Sequence, residues 1–291
     1  MNGPEGRERL LFAGPQAGIA VHGADTIAQS LLDLIPHWPT AAPDTTVSSE
    51  ISVRREGDDW RITSPQYELS EFDFPDGYIV ANGLVGALIA AYVAQDDQLV
   101  SVHAAAARIG DGLFLLIGDN FSGKSTLGVA LAARGQRFFG DDRLVLSLAG
   151  EQPKGRSLAI APKLRRPLPA EADAGFRDFV ADNTYLDWPE MVVLRLGPEL
   201  AAGFGEEAPL RGLILLQREA AQGPPELDEL RQPEVVKLLL EQIFAPHLGL
   251  PGELTACARL AAAVDGWRLR YRSAFEASET LIARFGAGPP S

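Results

Sequence analysis

The segment Gly118-Asp119-Asn120-Phe121-Ser122-Gly123-Lys124-Ser125 constrains this chain more than any other. Glycine at its first and sixth positions, then lysine, then a hydroxyl residue, is the spacing of a phosphate-binding P-loop, the Walker A pattern. The glycines let the backbone curl so that several N–H groups point inward at phosphate oxygens. A helix that begins there adds the positive end of its dipole. The pattern recurs by chance in unrelated chains, so its flanks matter. Here the apolar run Leu113–Ile117 precedes it, and Ser125–Arg134, helical in pattern and stopped by Gly135, follows it. Strand, loop and helix in that order predict an α/β fold. Lys124 is expected to reach the β- and γ-phosphates of a nucleoside triphosphate, and the Ser125 hydroxyl to help hold Mg2+. Gly118, Asp119, Asn120, Phe121, Ser122, Gly123 and Thr126 complete the expected nucleotide-binding set.

Composition narrows the partners. The chain has 291 residues, 46% of them hydrophobic, enough for a sizeable core without disulfides or a structural metal. Cys257 stands alone, which excludes a disulfide framework or a cysteine zinc site within one chain and suits a reducing cytoplasm. The start, residues 1–9, is polar and acidic, so no secretory signal is expected. The most lipid-like stretch, Tyr78–Ala94, is barely long enough to span a bilayer and contains Asn82 and two glycines, so it reads as a buried helix. A net charge of −13, from 26 basic and 39 acidic residues, repels nucleic acid and anionic membranes. Neither is expected as a partner, and a cytoplasmic location is.

Two sections are expected: residues 1–97, β-rich with one apolar helix, and residues 98–291, a P-loop kinase-like domain. In the first, Glu50–Arg55 and Trp60–Thr63 alternate apolar and polar around the turn Glu56-Gly57-Asp58-Asp59, a hairpin, and a helix is expected over Gly83–Ala94. In the second, Val100–Ile109 and Leu113–Ile117 read as paired strands, followed by the loop, its helix, and strands at Arg137–Phe139 and Leu144–Leu148. Pro153–Pro169 reads as irregular and basic, Leu213–Leu216 as a strand, and Glu206–Pro209 and Gln222–Pro225 as loops. Pro233–Phe244 and Ser273–Phe285 read as helices, and Trp267–Tyr271 as a strand with one wet face.

The rest of the site is sought among carboxylates. A P-loop hydrolase would carry a second apolar strand ending in an acidic residue, but Leu213–Leu216 ends in Gln217 and Arg218. The well-placed carboxylates are Asp141 and Asp142, after the strand that follows the P-loop helix; ligands of open α/β sheets sit at such carboxyl ends. One would coordinate Mg2+ while the other takes a proton from an attacking hydroxyl. His103, expected in the strand that pairs with the P-loop strand, reads more readily as a satisfied core histidine than as a site residue. Lys163, Arg165 and Arg166 read equally as a solvated loop and as cations that neutralise a transferring phosphoryl group.

His103, the Gly118–Ser125 loop and Asp141-Asp142 resemble, in type and spacing, the catalytic domain of the HPr serine kinase/phosphorylase family. The histidine stands fifteen positions before the first loop glycine (118 − 103 = 15), and the paired aspartates begin seventeen after the loop lysine (141 − 124 = 17). The resemblance covers residues 99–148 well and is weaker toward the C-terminus, where the chain looks like the shorter HPr-kinase-related proteins that often accompany peptide-modification operons. It implies a phosphoenolpyruvate carboxykinase-like fold, with the P-loop in a mixed sheet. It also implies Asp141 as the base, Asp142 and Ser125 at Mg2+, Lys124 on phosphate, His103 positioning the site, and a homo-oligomer. The sequence departs from the family at the bulky Phe121, at Lys163-Leu164-Arg165-Arg166, which stands where the family has an Arg-Gly-Leu-Gly stretch, and throughout the first third. The expected activity is Mg2+-dependent transfer of phosphate from ATP, or GTP, to a hydroxyl, foremost a serine of a peptide or protein and not necessarily HPr. A nucleotide-binding regulatory or assembly module without phosphotransfer, and a small-molecule kinase, stand as alternatives.

Overall fold

Alternation of apolar and polar residues on either side of Gly57 produces the hairpin it predicts. The computed structural model describes residues 9–72, 77–218 and 223–286. The polar start over residues 1–8 and Gln222 of one expected loop lie outside them. In the first section, β1 (Arg9–Ala13), β2 (Gly18–His22), β3 (Val47–Glu56), β4 (Asp59–Ser64) and β5 (Tyr67–Phe72) form a sheet in that order, with α1 (Ala28–Leu34) between β2 and β3. All pairs are antiparallel except β2 with β3. The apolar helix α2 (Gly77–Val93) packs across this sheet with buried residues on every side, from Val80 and Leu84 to Leu88 and Tyr92. It begins six residues before the expected Gly83, because Tyr78 to Ala81 continue the apolar surface and Gly83 is accommodated inside the helix. Among the described residues, no helix is long and apolar enough to cross a membrane.

After α2 the chain builds a ten-stranded mixed sheet. Its strands are β6 (Leu99–Val102), β7 (Ala105–Ile109), β8 (Gly112–Ile117), β9 (Arg137–Gly140), β10 (Leu144–Ser147), β11 (Lys154–Arg156), β15 (Glu207–Arg218), β16 (Glu226–Glu229), β17 (Ile243–Phe244) and β18 (Asp265–Tyr271). A separate three-stranded sheet joins β12 (Lys163–Arg165), β14 (Met191–Leu194) and β13 (Thr184–Asp187). The helices are α3 (Lys124–Ala133), α4 (Ala174–Asn183), α5 (Gln232–Gln242), α6 (Gly249–Ala263) and α7 (Ala274–Phe285). β8 runs parallel to β15, and β15 to β18, while β7 lies antiparallel to both β8 and β9. Two antiparallel steps return β9 to the direction of β8, so the carboxyl ends of β8, β9, β15 and β18 share one edge. Leu127 and Leu131 of α3 and Leu281 of α7 cover one face of this sheet; Leu239 of α5 and Leu260 of α6 cover the other.

Four expectations are corrected. The run Val100–Ile109 is two strands, because the chain crosses from one part of the sheet to another at His103, whose N–H donates to Gln242 O at 2.9 Å. His103 therefore lies between β6 and β7, outside the strand that pairs with β8. Glu206–Pro209 is not a loop: from Glu207 it is the start of β15, whose first residues pair antiparallel with β11 before a register shift near Leu210 turns the strand to β8 and β18. The basic stretch Pro153–Pro169 contains two three-residue strands, β11 and β12, too short to show a period. The helix expected over Pro233–Phe244 ends at Gln242, where Ile243 and Phe244 become extended to pair with β6.

The first section is joined to the second by packing as well as by chain. Its core includes Leu99, Val145, Leu158 and Ile160. Hydrogen bonds cross from Ala161 N to Leu34 O (3.0 Å), Tyr185 Oη to Asp33 Oδ1 (3.0 Å) and Lys163 Nζ to Asn82 Oδ1 (2.6 Å).

Candidate active site

The loop Gly118–Ser125 leaves β8 at the shared carboxyl edge and runs into α3. A Cβ on Gly118 would lie 2.8 Å from Ser122 Oγ and 3.0 Å from Leu216 O, so a side chain there would force the loop off β15. Phe121 (φ 69°) and Gly123 (φ 95°) adopt the left-handed conformation, and Ser122 N–H donates to Asp119 O at 3.1 Å. The Tyr271 hydroxyl, at the end of β18, donates to Ser122 O and pins the loop from below. Burial pushes that phenol up to about 12, so it stays a donor. No side chain caps α3 at Gly123, which leaves its first-turn N–H groups available to an anion. Lys124 Nζ folds over the loop onto Gly118 O (2.7 Å) and Asp119 O (3.2 Å). Burial lowers its pKa against the opposing pull of Asp141, Asp142 and Asp119.

β9 delivers the two aspartates beside this loop. Asp141 is 2% exposed. Its Oδ1 accepts from Ser125 Oγ at 2.8 Å and from Asp142 N–H at 3.0 Å, and its Oδ2 accepts from Lys163 N–H at 3.3 Å. Burial, reinforced by Asp142 and opposed by Lys163 and Ser125, raises its carboxyl above the usual range. Asp142 sits in the left-handed region (φ 66°) between an imidazole and an ammonium: His103 Nδ1 lies 3.5 Å from its Oδ1 and Lys163 Nζ 4.0 Å from its Oδ2. Burial alone would raise Asp142, but Lys163, then His103, Arg143 and Lys124, outweigh it and hold the carboxyl low. Burial also lowers His103, more than Asp142 raises it.

A cavity of about 600 Å3 gathers Asn120, Phe121, Gly123, Lys124, Ser125, Thr126, Asp141, Asp142, His103 and Arg165 in its lining. Arg165 lays its guanidinium over the Phe121 ring at 4.1 Å, and Phe121 is 78% exposed. Gly118 and Asp119 line an adjoining cavity of about 410 Å3, on which His103 and Asn120 also border. Ser122 is buried under the loop, and its hydroxyl has no hydrogen-bond partner among the described residues. Arg166 is elsewhere: it bonds Asp187 at 2.6 and 3.1 Å, outside the cavity wall.

Sequence reasoning passed over Tyr78 and Asn82 of α2 and Arg218 at the end of β15, all of which line the larger cavity. The signal for Asn82 was present, as the one amide in the apolar run Tyr78–Ala94. Lys163, which reads equally as a solvated loop residue and as a cation for a transferring phosphoryl group, has its ammonium buried against α2.

Among the described residues, no cluster of three or more His, Cys, Asp or Glu side chains could hold a metal by itself. Mg2+ needs no such cage; it is commonly held by one or two carboxylates with substrate phosphates and water. The Ser125 hydroxyl beside the Asp141 carboxylate is a donor set of that kind, suited to an ion arriving with a triphosphate.

No protein-family model matches the sequence, and no curated protein matches it. Among solved structures, the HPr(Ser) kinase/phosphatase from Coxiella burnetii is similar over 63% of this chain and 93% of its own, at 14% identity and a TM-score of 0.34. The fold of this chain is mixed α/β with mixed sheets, and the functional reading rests on the site itself.

Proposed function

We propose that this chain is a Mg2+-dependent phosphotransferase that moves the terminal phosphate of a nucleoside triphosphate to a hydroxyl. The observation that carries the reading is the convergence of Lys124, Ser125, Asp141, Asp142 and His103 on one cavity, at the carboxyl edge of β8 and β9. Loop N–H groups, the α3 N-terminus and Lys124 bind the phosphates. Ser125 and Asp141 would hold a Mg2+ arriving with the triphosphate, and the ion would supply charge neutralisation there.

The two aspartates divide the remaining work. Both oxygens of Asp141 already accept from protein donors, one of them from Ser125. Among the described residues, no hydrogen bond joins the Asp142 carboxylate to His103 (3.5 Å) or Lys163 (4.0 Å), and its side chain is 34% exposed. Burial raises Asp141 toward the range of a base, but geometry takes precedence over pKa in choosing one. Asp142 is therefore the proton acceptor in this proposal and Asp141 the metal-side carboxylate, the reverse of what the family resemblance implies. Arg165, over Phe121, faces the triphosphate. Arg166 has no part.

The acceptor class is a serine of a peptide or protein, and the nucleotide is ATP, with GTP the alternative. The setting proposed is the cytoplasm, and the assembly a homo-oligomer. The test is transfer of radiolabelled γ-phosphate to a serine-peptide library with wild type, Asp142→Asn and Asp141→Asn. Loss of transfer in Asp142→Asn with nucleotide binding retained supports the roles. Unchanged transfer in that variant sinks the assignment. Tight ATP binding without turnover on any peptide or small alcohol returns the protein to a regulatory nucleotide-binding module.

A further inference from the structure

We propose that helix α2 of the N-terminal section belongs to the catalytic unit, because it holds Lys163, and Lys163 positions Asp142. The inference rests on the reading of the site as a phosphotransfer centre. It adds that the first section of the chain, which carries no motif, sets the geometry of the base.

Lys163 connects three parts of the molecule. Its backbone N–H donates to Asp141 Oδ2 at 3.3 Å, its ammonium donates to Asn82 Oδ1 at 2.6 Å, and the same ammonium stands 4.0 Å from Asp142 Oδ2. Tyr78 shares a side-chain hydrogen bond with it as well. Tyr78 and Asn82 are four positions apart (82 − 78 = 4), so one turn of α2 presents both to the same ammonium. Burial would strip the charge from Lys163, but Asp142, Tyr78 and Asp141 together outweigh it and keep the group protonated.

This commitment changes the role of the residue. An ammonium engaged by an amide and a phenol is not a free phosphate ligand. What it can do is fix the carboxylate opposite. Asp142 has His103 on one side and Lys163 on the other, and it holds a positive φ that a non-glycine residue adopts at a cost. Such conformations persist where the surroundings over-determine them. The clamp on Asp142 is one such surrounding, and its outer end is anchored in α2, 81 residues earlier in the chain.

The test measures steady-state turnover of γ-labelled ATP by the full chain, with four variants. Asn82→Leu removes the acceptor at similar volume, and Asn82→Asp restores one. Lys163→Met removes the ammonium, and Tyr78→Phe removes a single hydroxyl. The expected result is a fall in kcat on the order of tenfold to a hundredfold for Asn82→Leu and Lys163→Met, as misplaced catalytic groups produce. Nucleotide KM should stay within about twofold of wild type, since the loop is untouched, and Asn82→Asp should recover most of the loss. Tyr78→Phe should fall by a few-fold in kcat alone, and it keeps the proposal testable if Asn82→Leu does not fold. A merely structural link would lower melting temperature and leave kcat of the folded fraction unchanged in all four; that outcome overturns the inference while the site reading stands. Wild type with no turnover at all overturns both.

Discussion

Ser125 Oγ donates to Asp141 Oδ1 at 2.8 Å, tying the first turn of α3 to the end of β9. One partner comes from the glycine-rich loop and the other from the end of the strand after its helix, so a single bond ties the loop to the carboxylate pair. Replacing Ser125 with alanine should leave the buried Asp141 one donor short and cost about 1–3 kcal/mol of stability. It should also raise the Mg2+ concentration needed for half-maximal transfer. Denaturant unfolding and a Mg2+ titration of turnover read the two effects separately.

Tyr271 gives a prediction with a definite sign in pH. Its phenol ionises near 10.0 ordinarily and is pushed up to about 12 by burial, with Arg218 opposing. The unfolded chain therefore loses this proton first, so the stability Tyr271 contributes is complete below about pH 10 and declines as pH rises toward about 12. Tyr271→Phe should lower melting temperature at neutral pH, since Ser122 O loses its donor, and should show a shallower alkaline decline than wild type. Parallel melting curves for the two proteins across the alkaline range would contradict the burial of that hydroxyl.

Phe121 and Arg165 form an exposed pair over the loop. Removing the ring should barely alter stability, within about 0.5 kcal/mol for a surface position. A cation–π contact of this kind contributes about 0.5–1 kcal/mol, so if Arg165 is oriented for the triphosphate by Phe121, Phe121→Ala should weaken nucleotide binding about two- to fivefold. Calorimetric titration with a non-hydrolysable triphosphate measures it directly.

The neighbouring arginines should behave differently from one another. Arg165→Ala should lower turnover, because the guanidinium lines the cavity. Arg166→Ala should leave turnover near wild type, because that side chain is bonded to Asp187 outside it. Equal losses in both would mean that the Arg166–Asp187 pair opens during the reaction.

Cys257, within α6, is fully buried, and its thiol is pushed up to about 11 by burial and by Glu253. Alkylation by iodoacetamide near pH 8 should be slow in the native protein and complete after denaturation. Rapid native labelling, read by mass spectrometry, would show that α6 opens readily.

Local sequence carries what local chemistry decides. The loop reads correctly as a strand-to-helix turn because glycine, lysine and serine act within eight consecutive residues. The β3–β4 hairpin reads correctly because Gly57, at φ 70°, sits at its turn. β15 reads only in part: Leu213–Leu216 is strand as expected, but the start of β15 pairs with a different strand, and charged Glu207 and Pro209 there mimic a loop. His103 is misplaced for a related reason: a largely apolar run without glycine or proline hides the crossing from β6 to β7.

By itself, then, the sequence determined the glycine-bounded strand-to-helix turn over Gly118–Ser125 and the presence of two carboxylates after the next strand. Tertiary structure alone decided which aspartate Ser125 bonds, and that Asn82 and Tyr78 hold Lys163 against Asp142. The reason is physical. Backbone curvature and helix polarity are properties of a few adjacent residues, whereas a buried ammonium acquires its partners only when α2 packs against β12. An asparagine in an otherwise apolar helix states that a partner exists without stating where in the chain it lies.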